Sequence, residues 1–316
     1  TFSVQADETI GALQGVVDSV VNFDGSVLTF GDATNRAVAS NLTGTGGFIK
    51  QGSGVVTLSG DASYTGDTTV NAGALTLQGG NAIGDTSDVT LADAAGVLVT
   101  LEADETIGSL AGGGTTGGDV QLADNTLTIG DGTHVANATF DGDVLSDPTG
   151  RLVLNIANGG SQTFTGTVNA GGGFDVDHGT VNFAPSAVIV ADVTNDGALA
   201  INNTITGNVT NLASGTFYNN GVITGDVDNF GFFGGNGTVN GVFVNRSGAN
   251  LSPGNSIGTV NVNGAFTLAS GSTLTVEVNG TKSGGVEQSD LVAVTGAPGT
   301  ATLEAGSNIQ IVPITS

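Results

Sequence analysis

The sequence predicts an all-β chain wound as a parallel β-helix, and three observations predict it. An asparagine returns at two short, alternating intervals, at Asn195, Asn211, Asn229, Asn245 and Asn263. Each is followed closely by a glycine and an apolar stretch, as in Asn-Phe-Gly-Phe-Phe from Asn229. A short fixed period of this kind means a chain that stacks on itself. The segments between glycine and asparagine are short and alternating, as in Val55-Val-Thr-Leu-Ser59, Ala74-Leu-Thr-Leu77 and Thr273-Leu-Thr-Val-Glu-Val278. β-branched residues dominate them, and threonine alternating with leucine or valine puts the apolar side chains on one face. No amphipathic helix is visible, because glycine, asparagine or aspartate interrupts nearly every window long enough to hold one. The crossover helices of a doubly wound sheet are therefore missing.

Taken along the chain, the first two blocks are copies. Ala6-Asp-Glu-Thr-Ile-Gly-Ala-Leu13 recurs as Ala103-Asp-Glu-Thr-Ile-Gly-Ser-Leu110, Leu28-Thr-Phe-Gly-Asp32 as Leu127-Thr-Ile-Gly-Asp131, and Val70-Asn-Ala-Gly73 as Val168-Asn-Ala-Gly171. These anchors divide the chain into repeat blocks 1–97 and 98–185, each holding several coils. The asparagine period marks a short-rung block over 186–249, and 250–316 closes the run. A rung as long as the step from Asn195 to Asn211, or from Asn211 to Asn229, holds three short strands and three turns. That suits a solenoid better than a β-sandwich. Asparagines at one corner of successive rungs can form a side-chain amide ladder, so their expected role is structural. Phe217, Tyr218, Phe230, Phe232, Phe233 and Phe243 read as a stacked core, with an exposed aromatic strip as the sharper alternative.

The 316 residues exceed what one globular core usually serves. A solenoid escapes that limit because each unit packs only on its neighbours. The 54 glycines have no three-residue period, so collagen is excluded. Charge is one-sided, with 29 acidic against 5 basic residues and a net −24. No two basic residues are adjacent, so neither nucleic acid nor an anionic membrane surface is an expected partner. The acidity reads first as solubility and protection of sheet edges. There is no cysteine, hence no disulfide and no thiolate metal site. There is no methionine either, as expected of a processed piece. Apolar runs such as Ala187-Val-Ile-Val-Ala191 fall far below the ~18 residues of a membrane-spanning helix.

Signals of chemistry are weak. Gly254-Asn-Ser-Ile-Gly258 satisfies the pattern of a nucleophile elbow, but that elbow needs a strand before it and a helix after it. Pro253 precedes it and the β-rich Thr259-Val-Asn-Val262 follows, so Ser256 reads as a turn serine. His134 and His178 are the two histidines, and His178 reads as a solvated turn residue. Asp141-Gly-Asp-Val-Leu-Ser-Asp147 lacks both the glycine-rich array of calcium β-rolls and the closing glutamate of an EF-hand. No catalytic residue, metal ligand or cofactor is assigned.

Gly44-Thr-Gly-Gly-Phe-Ile-Lys-Gln-Gly-Ser-Gly-Val-Val-Thr-Leu-Ser-Gly60, followed by Tyr64-Thr-Gly-Asp-Thr-Thr-Val-Asn-Ala-Gly-Ala-Leu-Thr-Leu77, resembles the passenger-associated transport repeat of bacterial autotransporters. Leu251-Ser-Pro-Gly-Asn-Ser-Ile-Gly258, with Gly271–Val278 and Ser289–Gly296, resembles the end of such passengers. The resemblance implies a right-handed helix and a passenger carried to the cell surface by its own C-terminal outer-membrane barrel. It implies that 250–316 folds first and templates later rungs, with Leu251, Pro253, Gly254, Asn255, Ser256, Ile257 and Gly258 in a folding role. It implies adhesion to a host-surface or matrix macromolecule, or between sister cells, as a virulence-associated activity. A rigid stalk for a functional head is the alternative role, and a polysaccharide-acting hydrolase is a third.

Overall fold

The structure, a computed structural model, describes residues 1–283 and 286–314, with side chains outside 280–287. No described residue is helical. The chain forms two compact units, one of Thr1–Phe174 with His178–Thr180, the other of Asp175–Asp177 with Val181–Ser316. Each is a parallel β-solenoid.

In the first unit, Val27–Phe30, Gly47–Lys50, Thr68–Val70 and Asp88–Leu91 lie side by side along one sheet. Arg36–Val38, Val56–Leu58, Ala74–Leu77 and Leu98–Leu101 form a second, and Glu105–Ile107, Thr126–Ile129 and Arg151–Asn155 a third. Side chains alternate as the sequence predicts: Val56 and Leu58 are buried while Thr57 between them is half-buried. Phe30, Phe48, Phe23 and Tyr64 fill the interior with ring centroids 5.4 to 6.2 Å apart.

The short rung expected from the asparagine spacing does not extend to this unit. Leu28 stands beside Phe48, Phe48 beside Thr68, and Leu127 beside Leu152. The first two steps are longer than any asparagine interval, and the third is longer still. The surplus sits in glycine- and aspartate-rich turns such as 130–136, where extra residues add little closure entropy. The duplicated segments keep their pairing: Glu8 lies against Leu28 and Ile10 against Phe30, as Glu105 lies against Leu127 and Ile107 against Ile129. The first copy does so in the first sheet and the second copy in the third.

The second unit has the short rungs. Val193–Asn195, Val209–Asn211, Val227–Asn229, Phe243–Asn245 and Phe266–Leu268 make one sheet. Ala198–Ile201, Thr216–Asn219, Phe232–Gly235, Asn250–Pro253 and Thr273–Ser283 make the next. Thr204–Thr206, Val222–Ile223, Thr238–Val239, Thr259–Asn263 and Leu291–Thr295 make the third. Val193, Val209, Val227 and Phe243 follow one another at the asparagine intervals, and the next step, to Phe266, is longer. Among the described strands, Thr273–Ser283 with Val286–Ser289 is the antiparallel pair.

Corners in both units are closed by acidic and amide side chains. Asp7 accepts from the Val27 N–H at 2.9 Å, Asp104 from Thr126 at 2.8 Å, Asp143 from Thr167 at 2.7 Å, Asp192 from Asn208 at 2.7 Å and Asp226 from Val242 at 2.7 Å. Each satisfies a backbone donor on the following rung that the sheets leave unpaired. Part of the acidity thus holds turns together, beyond the solubility role expected of it.

Candidate functional site

The second unit collects the residues singled out by the sequence. Asn195, Asn211, Asn229 and Asn245 are fully buried and stand in register. Each Nδ2 donates to the Oδ1 of the next, at 2.7 Å in all three steps. The same amides also bond the backbone of the adjoining strand: Asn211 donates to the Phe232 carbonyl at 2.9 Å and Asn245 to that of Thr273 at 3.0 Å. The column therefore joins rung to rung and strand to strand at one corner. It has a direction. The Oδ1 of Asn195 is enclosed and meets no donor, because Val176, whose carbonyl takes the Asp196 N–H at 2.7 Å, brings no amide to that corner.

Asn263 lies outside the column. The register opposite Asn245 belongs to Leu268. Asn263 ends the strand Thr259–Asn263 on another sheet, exposed, donating to the Asn240 Oδ1 at 2.7 Å. The turn after Pro253 takes more chain than the repeat allows, so the recurring spacing falls on a different corner.

That turn carries the other predicted residues. Leu251 is fully buried, between Phe233 and Leu274. Pro253 is buried against Gly235. Gly254 takes φ +86°, where an added Cβ would overlap the Ser256 carbonyl, a conformation glycine holds at little cost. Asn255 and Ser256 are exposed and Ile257 is half-buried. Gly258 donates to the Asp290 Oδ1 at 2.8 Å, and the other oxygen of Asp290 takes the Glu277 N–H at 2.8 Å. Asp290, itself buried, thereby ties the turn to the strand Thr273–Ser283. Local sequence carries no signal of this link, because both partners of Asp290 are remote from it along the chain.

The six aromatics divide. Phe217, Phe233 and Phe243 are fully buried and stack with Phe266, at centroid separations of 5.3, 4.9 and 5.7 Å. Phe230 is exposed beneath the Arg246 guanidinium, which also pairs with Asp228. Tyr218 and Phe232 face outward with ring centroids 5.4 Å apart. They floor a groove of about 540 Å³ whose wall is the turn Pro253–Ser256 and whose further lining includes Ala200, Asn220, Ser252 and Glu277.

Catalytic geometry is not assembled around either histidine. Ser109 and His134 both contact the Asp88 Oδ1, at 2.5 and 3.0 Å. The carboxylate sits between them, so the imidazole is not placed to take the serine proton, as a triad requires. His178 contacts Asn155 at 3.1 Å. Ser256 is followed by a strand and not by a helix. Among the described residues no group of three His, Asp or Glu is placed to hold a metal ion.

Two buried ionisable groups in the first unit escaped the sequence reading. Lys50 is fully enclosed, its Nζ donating to the carbonyls of Gly52, Gly54 and Ala72 at 2.8, 2.6 and 2.5 Å, and burial draws its pKa down to about 8. Glu105 is 3% exposed; burial pushes its pKa up to about 7, against the Ile83 and Ala82 N–H groups that bond it at 3.0 Å. Strand alternation was the available signal, since Lys50 lies one strand repeat after Phe48 and Glu105 one before Ile107.

A parallel solenoid whose corner asparagines form an amide ladder defines a repeat protein, in which each coil packs on its neighbours. Residues 48–82 match the passenger-associated-transport-repeat family. Over 158 residues, half of this chain, the sequence is 33% identical to a protein described as the adhesin BmaC autotransporter of Brucella suis biovar 1 (strain 1330), and the match covers 4% of that relative's length. No solved structure matches the chain. Repeat, relative and solenoid together support an autotransporter passenger domain and a place at the cell surface.

Proposed function

We propose that the chain is adhesive: it contributes contact surface through which the bearing cell attaches to a host-surface or matrix macromolecule, or to a sister cell. The observation that carries this reading is the similarity to an adhesin over half of the chain. A repetitive outer surface suits multipoint attachment, in which weak sites add through effective concentration. The reading is non-enzymatic, supported by the misplacement of Asp88 between Ser109 and His134. Within it, 250–316 is the segment that folds first, and Leu251, Pro253, Gly254, Asn255, Ser256, Ile257 and Gly258 shape its first turn. The repeat blocks 1–97, 98–185 and 186–249 then add to it, and an outer-membrane barrel of the precursor is the partner in export.

The test is binding of the purified 316-residue chain to host cells and to cells displaying the same protein, beside a scrambled-charge control. Saturable binding to either surface supports adhesion and says whether the partner is foreign or self. A folded chain that binds neither would overturn it in favour of a stalk that carries a binding head.

A further inference from the structure

We propose that the groove floored by Tyr218 and Phe232 is a binding site for a neutral oligosaccharide, with pyranose rings lying on the two aromatic faces. The inference rests on the adhesion reading for its biological sense and names the ligand class of one contact.

The outward positions of this sheet are otherwise small or polar: Ala198, Ala200, Thr216, Asn250 and Ser252. Two large rings among them leave apolar surface in water, which a stable solenoid does not require. Tyr218 stands beside Gly234 and Gly234 beside Ser252. A Cβ at Gly234 would come within 3.0 Å of both the Tyr218 and Phe232 rings. The missing side chain is what lets the rings lean over the floor of the groove. Its volume of about 540 Å³ lies within the ~300–1,000 Å³ typical of small-ligand sites.

The chemistry of the lining selects the ligand. Ring faces carry partial negative charge and attract the C–H face of a sugar. Around them stand hydroxyl and amide groups, Ser256 and Asn255 on the wall turn, which bond hydroxyls as donor or acceptor. Glu277 adds a half-buried carboxyl group to the lining, whose oxygens accept hydrogen bonds from ligand hydroxyls. The wall turn is held in place from behind by Asp290, so the polar groups are positioned before a ligand arrives. With Glu277 at the wall and a net charge of −24, sulfated and sialylated chains are repelled, leaving neutral saccharides.

The chain supplies its own reporter. It has two tyrosines and no tryptophan; Tyr64 is 1% exposed, so ligand-induced change in tyrosine emission comes from Tyr218. Maltotriose, cellotriose and triacetylchitotriose are titrated into the whole 316-residue chain, with a heparin tetrasaccharide and choline as contrasting probes. The expected result is a saturable change with at least one neutral trisaccharide. Calorimetry then shows affinity reduced about tenfold or more in Tyr218→Ala and Glu277→Gln, the loss of one ring face or one charged hydrogen bond, with unchanged thermal unfolding. Three inert trisaccharides, tighter binding of heparin or choline, or full affinity in Tyr218→Ala would overturn the proposal. Adhesion is read separately. If the chain attaches to cells but Tyr218→Ala attaches equally and no trisaccharide binds, the groove assignment fails and adhesion stands. If trisaccharides bind but no cell does, the groove stands and adhesion fails.

Discussion

Replacing an interior asparagine of the column by leucine should cost more than replacing one at its end, because the column is directional. In Asn229→Leu the Nδ2 that meets the Asn245 Oδ1 at 2.7 Å is removed, and that buried oxygen has no other donor among the described hydrogen bonds. The Nδ2 of Asn211 loses one acceptor but keeps the carbonyls of Gly215 and Phe232. An orphaned buried acceptor costs about 1–3 kcal/mol and each lost bond about 1 kcal/mol more. Burying leucine returns about 2 kcal/mol. The net for Asn229→Leu, and by the same count for Asn211→Leu, is a loss of about 1–3 kcal/mol. Asn245→Leu orphans no Oδ1 and continues the apolar column begun by Leu268, so it should be close to neutral. Asn195→Leu strands the Asn211 Oδ1 but removes the unpaired Asn195 Oδ1, and should also be nearly neutral. Amide hydrogen exchange over 209–250 measures this locally, without requiring the whole chain to unfold in one step. A loss of about 1.4 kcal/mol is tenfold in the opening equilibrium, so interior variants should exchange about 5- to 150-fold faster at the rung they touch. Equal effects at all four positions would refute the directional account, and faster exchange only in the end variants would reverse it.

Glu105 makes stability depend on pH. Its folded pKa of about 7 lies above the ordinary 4.5, so its contribution is fully present below pH 4.5 and is lost as pH rises through 7. The difference corresponds to about 3 kcal/mol, and the thermal midpoint should fall between pH 5 and 8 by more in the natural chain than in Glu105→Gln; parallel curves would show that burial does not hold its proton. Leu251→Asp, buried between Phe233 and Leu274, should destabilise by several kcal/mol and lower protease resistance and surface display of the precursor together. Display and resistance at natural levels would end the idea that this segment folds first.

How far local sequence carries is clearest in the hexapeptide that occurs twice. Ala6-Asp-Glu-Thr-Ile-Gly11 and Ala103-Asp-Glu-Thr-Ile-Gly108 are identical. Their aspartates do the same thing, each accepting from the backbone of the next rung, at Val27 and at Thr126. Their glutamates do not: Glu8 is exposed, whereas Glu105 is buried under the amides of Ala82 and Ile83. Whatever depends on the strand itself, such as alternation and corner capping, was legible. Whatever depends on which rung lies above was not. Asn263 shows the same limit, since its spacing fits the period and only the longer turn after Pro253 moves it to another sheet. The groove also escaped, because Tyr218 and Phe232 become neighbours only through the register that puts Gly234 beside Tyr218.

The placement of the few basic side chains bears on how long such a chain lasts outside a cell. Enzymes of the trypsin type must draw a lysine or arginine into a deep pocket and straighten the backbone around it. This sequence offers five such residues. The Lys50 ammonium is locked among three carbonyls, Arg36 is tied to Asp32 at 3.1 Å, and Arg246 is clasped by Asp228 beside a phenylalanine ring. Drawing any of these three into such a pocket first requires breaking those contacts and opening the local coil, so the digestion rate there scales with the fraction of time the coil is open.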